Sequence, residues 1–301
     1  MLRRIVPLGM LAMASYAHAD WTLARASTAV TIIHAASLYQ ARAGQRLGRD
    51  DIVETPASGD AQIQDEGGNT VALGPDTHVL LKRDAHIVVL RGWIKLLHAC
   101  AWANCATPVV TTARTQFTPA NRSTLVIAAA PAGYGGADAV FCESGSVQVL
   151  ALGTSRGKPA RVQLDARQFA LRAKANEVIA LAASPNPAFV AAMPVTFRDA
   201  LRTLPPPANL RNLPSRGLRP VTYGDIADWL GSALAVRTDP ATRFTERFRP
   251  RLADQSFRRA IRQHVDALPE WRPLVSAQPQ PNPRVPAVKP LSAYPSILVR
   301  P

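Results

Sequence analysis

GGNTVALGPDTHVLLKRDAHIVVLRGWIKL, residues 67–96, is the stretch on which the fold turns. Its three apolar runs, NTVALG, THVLLK and HIVVLRGWIKL, are rich in Val, Ile, Leu and Thr, the composition of strands. In the first, Val71 and Leu73 point to one face and Thr70 and Ala72 to the other, the alternation of a half-buried strand. Gly67, Gly68 and Asn69 form a tight-turn signal before that run, and Pro75-Asp76 breaks the chain after it.

The same texture continues in both directions. STAVTII, DAQIQ, STLVIAAA, AVFCESGSVQVLAL and ARVQL read as further strands, and GRDD, DEGGN, GPD, GYGGAD and GTSRGKP supply the turns between them. Residues 20–183 are therefore expected to form one all-β domain of close hairpins. Proline then dominates residues 184–220, which read as a linker draped in extended form on the surface.

A small helical module follows over residues 221–275. Thr222 can cap a helix YGDIADWL that places Ile226, Trp229 and Leu230 on one face. Asp239 can cap a second helix begun by Pro240. Asp254 can cap a third, QSFRRAIRQHVDAL, which aligns Phe257, Ile261, Val265 and Leu268 and stops at Pro269. Trp271 is expected to pack back on that helix. Residues 276–301 are proline-rich without periodicity and read as a disordered tail. The fold class is thus mainly β, a sandwich or short roll of hairpin strands with a small α-helical module at its C-terminal side.

At the other end, MLRR leads into an apolar run and an A-x-A site, so residues 1–19 read as a secretory signal peptide cleaved between Ala19 and Asp20. The run is shorter than the ~20 residues a membrane-spanning helix needs. On this reading the mature chain works in an oxidising compartment, most simply the bacterial periplasm. Its basic excess is concentrated late: residues 20–195 carry a net +3, residues 196–275 a net +6. Export sets nucleic acid aside and leaves anionic envelope polymers as partners for that charge, against the plainer reading of a general habit of Arg-rich composition.

Four segments resemble the FecR-type periplasmic domain: AGQRLGRDDIVET (43–55), GNTVALGPDTHVLL (68–81), VLRGWIKL (89–96) and FCESGSVQV (141–149). Tyr223, Asp225, Trp229 and Leu230, followed by Pro269, Glu270, Trp271 and Pro273, are similar to the C-terminal part of FecR-domain proteins of β-proteobacteria. The resemblance implies an envelope β domain that binds something, with no catalytic residues to transfer. The signalling members place a cytosolic anti-sigma segment and a spanning helix before this domain. Here a cleavable signal stands in that place, so control of a sigma factor across the membrane by this chain is not expected.

No G-x-S-x-G elbow, H-E-x-x-H, phosphate loop or EF-hand loop appears, and no cofactor or metal is expected. Asp50 and Asp51 are neighbours in an extended chain, point to opposite faces and read as turn residues. His78 and His86 flank the LLKRDA turn and would meet as metal ligands only in one register; with no third ligand they read as solvated strand histidines. Glu143 is a lone carboxylate and reads as structural. Arg258 and Arg262 lie four apart with Arg251 nearby, and Arg243 and Arg247 repeat the spacing, so the five could form a patch for an anionic partner. The competing reading is a solvated basic face.

HACAWANC (98–105) offers three ligands where structural zinc wants about four, and its C-x4-C spacing is not that of a thioredoxin-like site. In an oxidising compartment Cys100 and Cys105 are expected to form a disulfide, worth about 2 to 3 kcal/mol in the loop-entropy account. Pairing of either with Cys142, or thiols left free or metal-bound, are the alternatives. The functional expectation is a non-enzymatic periplasmic binding or scaffolding protein engaging an envelope protein or peptidoglycan. The alternative is a signal-relay component acting with a separate receptor and sigma regulator.

Overall fold

The structure, a computed structural model, describes residues 21–100, 105–153, 160–240 and 244–276. The expected signal segment and all but residue 276 of the expected tail lie outside them. Two β-sheets face one another. Sheet A runs β4 (Arg46–Leu47), β1 (Trp21–Ala26), β6 (Ala61–Gln64), β7 (Asn69–Leu73), the second half of β9 (His86–His98), β12 (Ser123–Ala129), β13 (Asp138–Ser144), β16 (Phe169–Arg172) and β17 (Ala180–Ala182), antiparallel throughout.

Sheet B runs β18 (Arg219–Pro220), β3 (Ser37–Ala41), β2 (Val30–His34), β5 (Ile52–Glu54), β8 (His78–Leu81), the first half of β9, β10 (Val109–Thr111), β11 (Thr115–Pro119), β14 (Ser146–Ala151) and β15 (Arg161–Asp165). Among the strands of the described residues only the β9–β10 pair is parallel, beside an isolated parallel bridge between Gln45 and Arg211. The expected sandwich is therefore present, and β9 is the strand common to both sheets.

The pivot in β9 is Gly92. Its φ is +109°, and a Cβ placed there would lie 2.5 Å from the Cα of Thr77, so only glycine lets the strand bend at this contact. Thr77 closes the bend from the other side, its hydroxyl donating to the Trp93 carbonyl (3.1 Å) and accepting from the Trp93 N–H (3.0 Å). The turn of β9 from one sheet to the other explains its long apolar run. Ile87, Val89, Ile94 and Leu96 face the core between the sheets, with Leu23, Ile32, Ile63, Val79, Phe117, Leu125 and Val149. Val88 and Trp93 face outward into two further apolar layers.

On the outer face of sheet B, Ile33, Leu38, Ile52, Leu80 and Val88 pack against Val221, Ile226, Trp229, Phe244, Phe248, Phe257, Ile261 and Trp271 of the helical module. That module comprises α2 (Tyr223–Gly231), α3 (Phe244–Phe248), α4 (Gln255–Gln263) and α5 (Arg272–Ser276), preceded in the chain by α1 (Pro187–Ala192). Asp225 accepts from the Thr222 N–H (2.6 Å), and Asp254 accepts from the N–H groups of Ser256 (2.8 Å) and Phe257 (3.2 Å), the start signals read from the sequence. One helix is shorter than its periodicity suggested: α4 ends at Gln263, because the next turn swings Leu268 and Trp271 onto the core. Of the helix expected from Pro240, residues 241–243 lie outside the described residues, and Phe244–Phe248 is helical.

Residues 184–220 form a belt from the outer face of sheet A to the edge of sheet B, which its last residues extend as β18. The belt is stitched at both ends: Gln62 donates to Arg202 O (2.9 Å), Gln64 to Leu204 O (3.0 Å), and the N–H of Leu218 to Leu38 O (2.8 Å). Strand β7 is consequently buried on both faces rather than half-exposed. Val71 and Leu73 reach the inner core, Ala72 lies in the layer that holds Trp93, and Thr70 bonds Thr203 of the belt (2.9 Å).

Candidate functional site

Four of the five arginines expected to form a patch, Arg247, Arg251, Arg258 and Arg262, donate instead to backbone carbonyls of different loops. Arg243 lies outside the described residues. The guanidinium of Arg247 donates to three backbone carbonyls of sheet B and its turns, Ala35 O (2.8 Å), Asp50 O (2.6 Å) and Ile33 O (2.8 Å), and rests 5.0 Å from the Phe248 ring centroid. Burial lowers its pKa to about 10, with Asp51 and Asp50 acting the other way. Arg251 donates to Val221 O (2.7 Å) and Asp254 (2.8 Å), Arg258 to Leu252 O (2.7 Å), and Arg262 to Val275 O (3.2 Å). Carbonyls where turns meet helices must find donors, and the planar fork of Arg serves several at once. The spacing that suggested a surface grip instead distributes these side chains among different loops.

Around Arg247 the junction of sheet and module is polar. Asp51 is fully buried, receives His34 Nδ1 on one oxygen (2.6 Å) and the Gly48 N–H on the other (2.7 Å). The hydrogen bond to Asp51 raises the His34 pKa above its ordinary value, and partial burial opposes that rise. Asp50, with φ +65°, sits in a turn and pairs with Arg49 (3.0 Å).

His78 and His86 do not face one another: His78 is opposite Arg91, and His86 lies beside Val109 of β10. Arg91 donates to His78 Nε2 (3.0 Å) and Asp76 (3.2 Å) and pairs with Asp228 of α2, while Trp229 donates to Glu54 (3.2 Å). His86 bonds the Thr111 hydroxyl (2.9 Å). Among the described residues no group of three His, Cys, Asp or Glu side chains is placed to hold a metal.

Cys100 and Cys105 are joined in a disulfide with Cα atoms 5.9 Å apart. Its neighbours form a buried polar network: His98 Nδ1 donates to Asn69 Oδ1 (2.7 Å), and Asn69 Nδ2 donates to Asp65 (2.5 Å) and Ala106 O (3.1 Å). Burial lowers the His98 pKa, with Asp65 acting the other way, and the Nδ1 position is taken by Asn69. The bridged segment is thereby tied to the glycine turn before β7. Cys142 is a buried free thiol whose pKa is pushed up to about 11 by burial, so it is not a reactive thiolate near neutral pH.

Glu143 is structural as well as paired. It receives Lys95 Nζ (2.8 Å), which also donates to Phe197 O and Asp199 O of the belt (2.8 Å each), leaving the ammonium almost wholly buried. Beside it a cavity of about 190 Å³ opens between belt and sheet A, with Arg25, Asp60, Gln62 and Arg202 on its walls. The most exposed large apolar side chains are elsewhere. Val178, Leu181, Val190 and Val195 fall within 18 residues of chain, from just before β17 into the belt, and Leu210 and Leu218 are exposed further along it. Sequence reading missed these residues, because isolated Val and Leu in proline-rich chain carry no periodicity that would mark them.

No protein-family model matches the chain, and no curated protein matches it. Among solved structures, two crystal structures of a candidate anti-sigma factor from Parabacteroides distasonis share part of the arrangement, at 13% and 12% identity and a TM-score of 0.36. In each case the match covers 44% of this chain and 59% of the other, so it spans less than two thirds of that protein's length.

Proposed function

We propose that this chain is a non-enzymatic binding or scaffolding protein of the bacterial periplasm, built on a FecR-type β domain and engaging a protein partner in the envelope. The observation that carries the reading is the set of exposed large apolar side chains Val178, Leu181, Val190 and Val195 in one stretch of chain, with relative exposures of 81%, 55%, 41% and 71%. Where such side chains adjoin on a surface they form protein contact sites. The disulfide and the export-type N-terminus support the periplasmic setting. Because Arg247, Arg251, Arg258 and Arg262 are engaged with backbone carbonyls, we prefer a protein of an outer-membrane assembly to the anionic glycan of peptidoglycan as the partner.

Affinity capture from envelope extracts with the mature chain tests this. A partner should be retained by the native chain and lost with the Leu181→Asp/Val195→Asp variant at unchanged circular dichroism. Retention that is indifferent to those substitutions, or no partner together with co-sedimentation with purified sacculi, overturns it.

A further inference from the structure

Strand β15 ends sheet B, and its sequence Arg161-Val-Gln-Leu-Asp165 reads as its own antiparallel complement. The Ala151 N–H donates to Ala160 O (2.8 Å), and this sets the alternation along the β14–β15 ladder. Residues 160, 162 and 164 direct their backbone groups to β14, so Arg161, Gln163 and Asp165 direct theirs off the free edge. Those of Arg161 and Gln163 have no backbone partner there among the described residues.

We propose that two copies of this chain associate about a twofold axis through Gln163, joining β15 to β15 of the second copy in antiparallel register. Gln163 then lies opposite Gln163, Arg161 opposite Asp165, and Val162 opposite Leu164. All three outward-pointing residues fall at hydrogen-bonded positions, which a register shifted by one residue would not allow. Arg161 and Asp165 are exposed and share the solvent face of the strand, so the axis creates two identical cross-strand ion pairs. The apolar pair forms on the core face, where Val162 is only partly buried in the single chain. Ile179, next to β17 at the edge of sheet A, packs against the margin of the same core.

The edge carries one stopper. Gln168 accepts from the Asp165 N–H through its side chain (2.8 Å) and donates its own N–H to Asp165 O (3.1 Å), so the Gln168 amide must give up the Asp165 N–H to Arg161 of the second copy. An unpaired edge strand is ordinarily blunted by an inward charge or a proline. The alternation here does the opposite, offering opposite charges at the two ends of a symmetric strand.

Charge reversal on the mature full chain tests the pairing by sedimentation equilibrium. Arg161→Asp and Asp165→Arg each place like charges opposite one another, and each should raise the dimer dissociation constant roughly tenfold or more. The double variant Arg161→Asp/Asp165→Arg restores both pairs and should dimerise like the native chain. A mixture of the two single variants should form a heterodimer in which all pairs are again opposite in sign. Unchanged circular dichroism excludes misfolding as the cause. A native chain that stays monomeric at high concentration, single variants that dimerise undiminished, or a mixture that fails to associate overturns the proposal.

Discussion

Arg247 takes the place of water for three backbone carbonyls at once, and what happens when it is removed can be stated. Arg247→Ala leaves the Ile33, Ala35 and Asp50 carbonyls without that donor and should lower unfolding stability by about 3 kcal/mol in urea titration. Arg247→Lys should recover only part of it, since an ammonium cannot reach three diverging acceptors in one plane. His34 makes stability depend on pH. Its folded pKa lies above the ordinary histidine value, so the contribution of the His34–Asp51 pair is fully present below about pH 6.5 and is lost as pH rises through the raised value. Denaturation midpoints measured from pH 5 to 8 should fall for the native chain and stay flatter for His34→Gln. None of this could be read from residue spacing. The spacing placed arginines on helix faces correctly, but which carbonyls they would meet depends on loops remote in sequence. Arg172 shows the same use, donating to Glu177 O (3.1 Å) and Leu152 O (2.8 Å).

At the scale of elements, the helix starts at Thr222 and Asp254 were legible because a cap is local chemistry, a side chain meeting an N–H two or three residues away. Strands were legible where their runs were long. β1, β3, β10, β11 and β16 were not singled out, since WTLARA, SLYQA, VVT, TQFTP and FALR are short or mixed and are held by neighbours far away in the chain. The bend in β9 belongs to the same class. GW in a strand reads as an ordinary weak point, yet Gly92→Ala should cost roughly 3 kcal/mol or more, from a positive φ combined with overlap on Thr77. Gly133→Ala, with φ +81° and open space around it, should cost only about 1 kcal/mol. Chemical denaturation of the two variants separates backbone strain from close approach; equal losses would show that Thr77 moves aside.

For the whole molecule, the helical module is the lid of an apolar layer on sheet B. Deleting residues 222–276 should expose Ile33, Leu38, Ile52, Leu80 and Val88, and the shortened chain should aggregate or bind a hydrophobic dye where the full chain does not. A soluble, dye-silent deletion would show that the β sandwich closes without its lid. The sequence by itself determined the β class, the turns, the two principal helix caps, the apolar helix face of Ile226, Trp229 and Leu230, and a short-range cysteine bridge. These are settled within a few residues of chain, where periodicity, capping and proximity act. Tertiary structure alone decided that β9 serves both sheets, that the proline-rich segment is a belt from sheet A to sheet B, that Arg247, Arg251 and Arg258 anchor carbonyls of different loops, and that β15 and β17 end their sheets among the described residues. Each of those outcomes depends on which distant carbonyl or apolar surface a residue meets, and long-range contacts of that kind leave no period in the sequence.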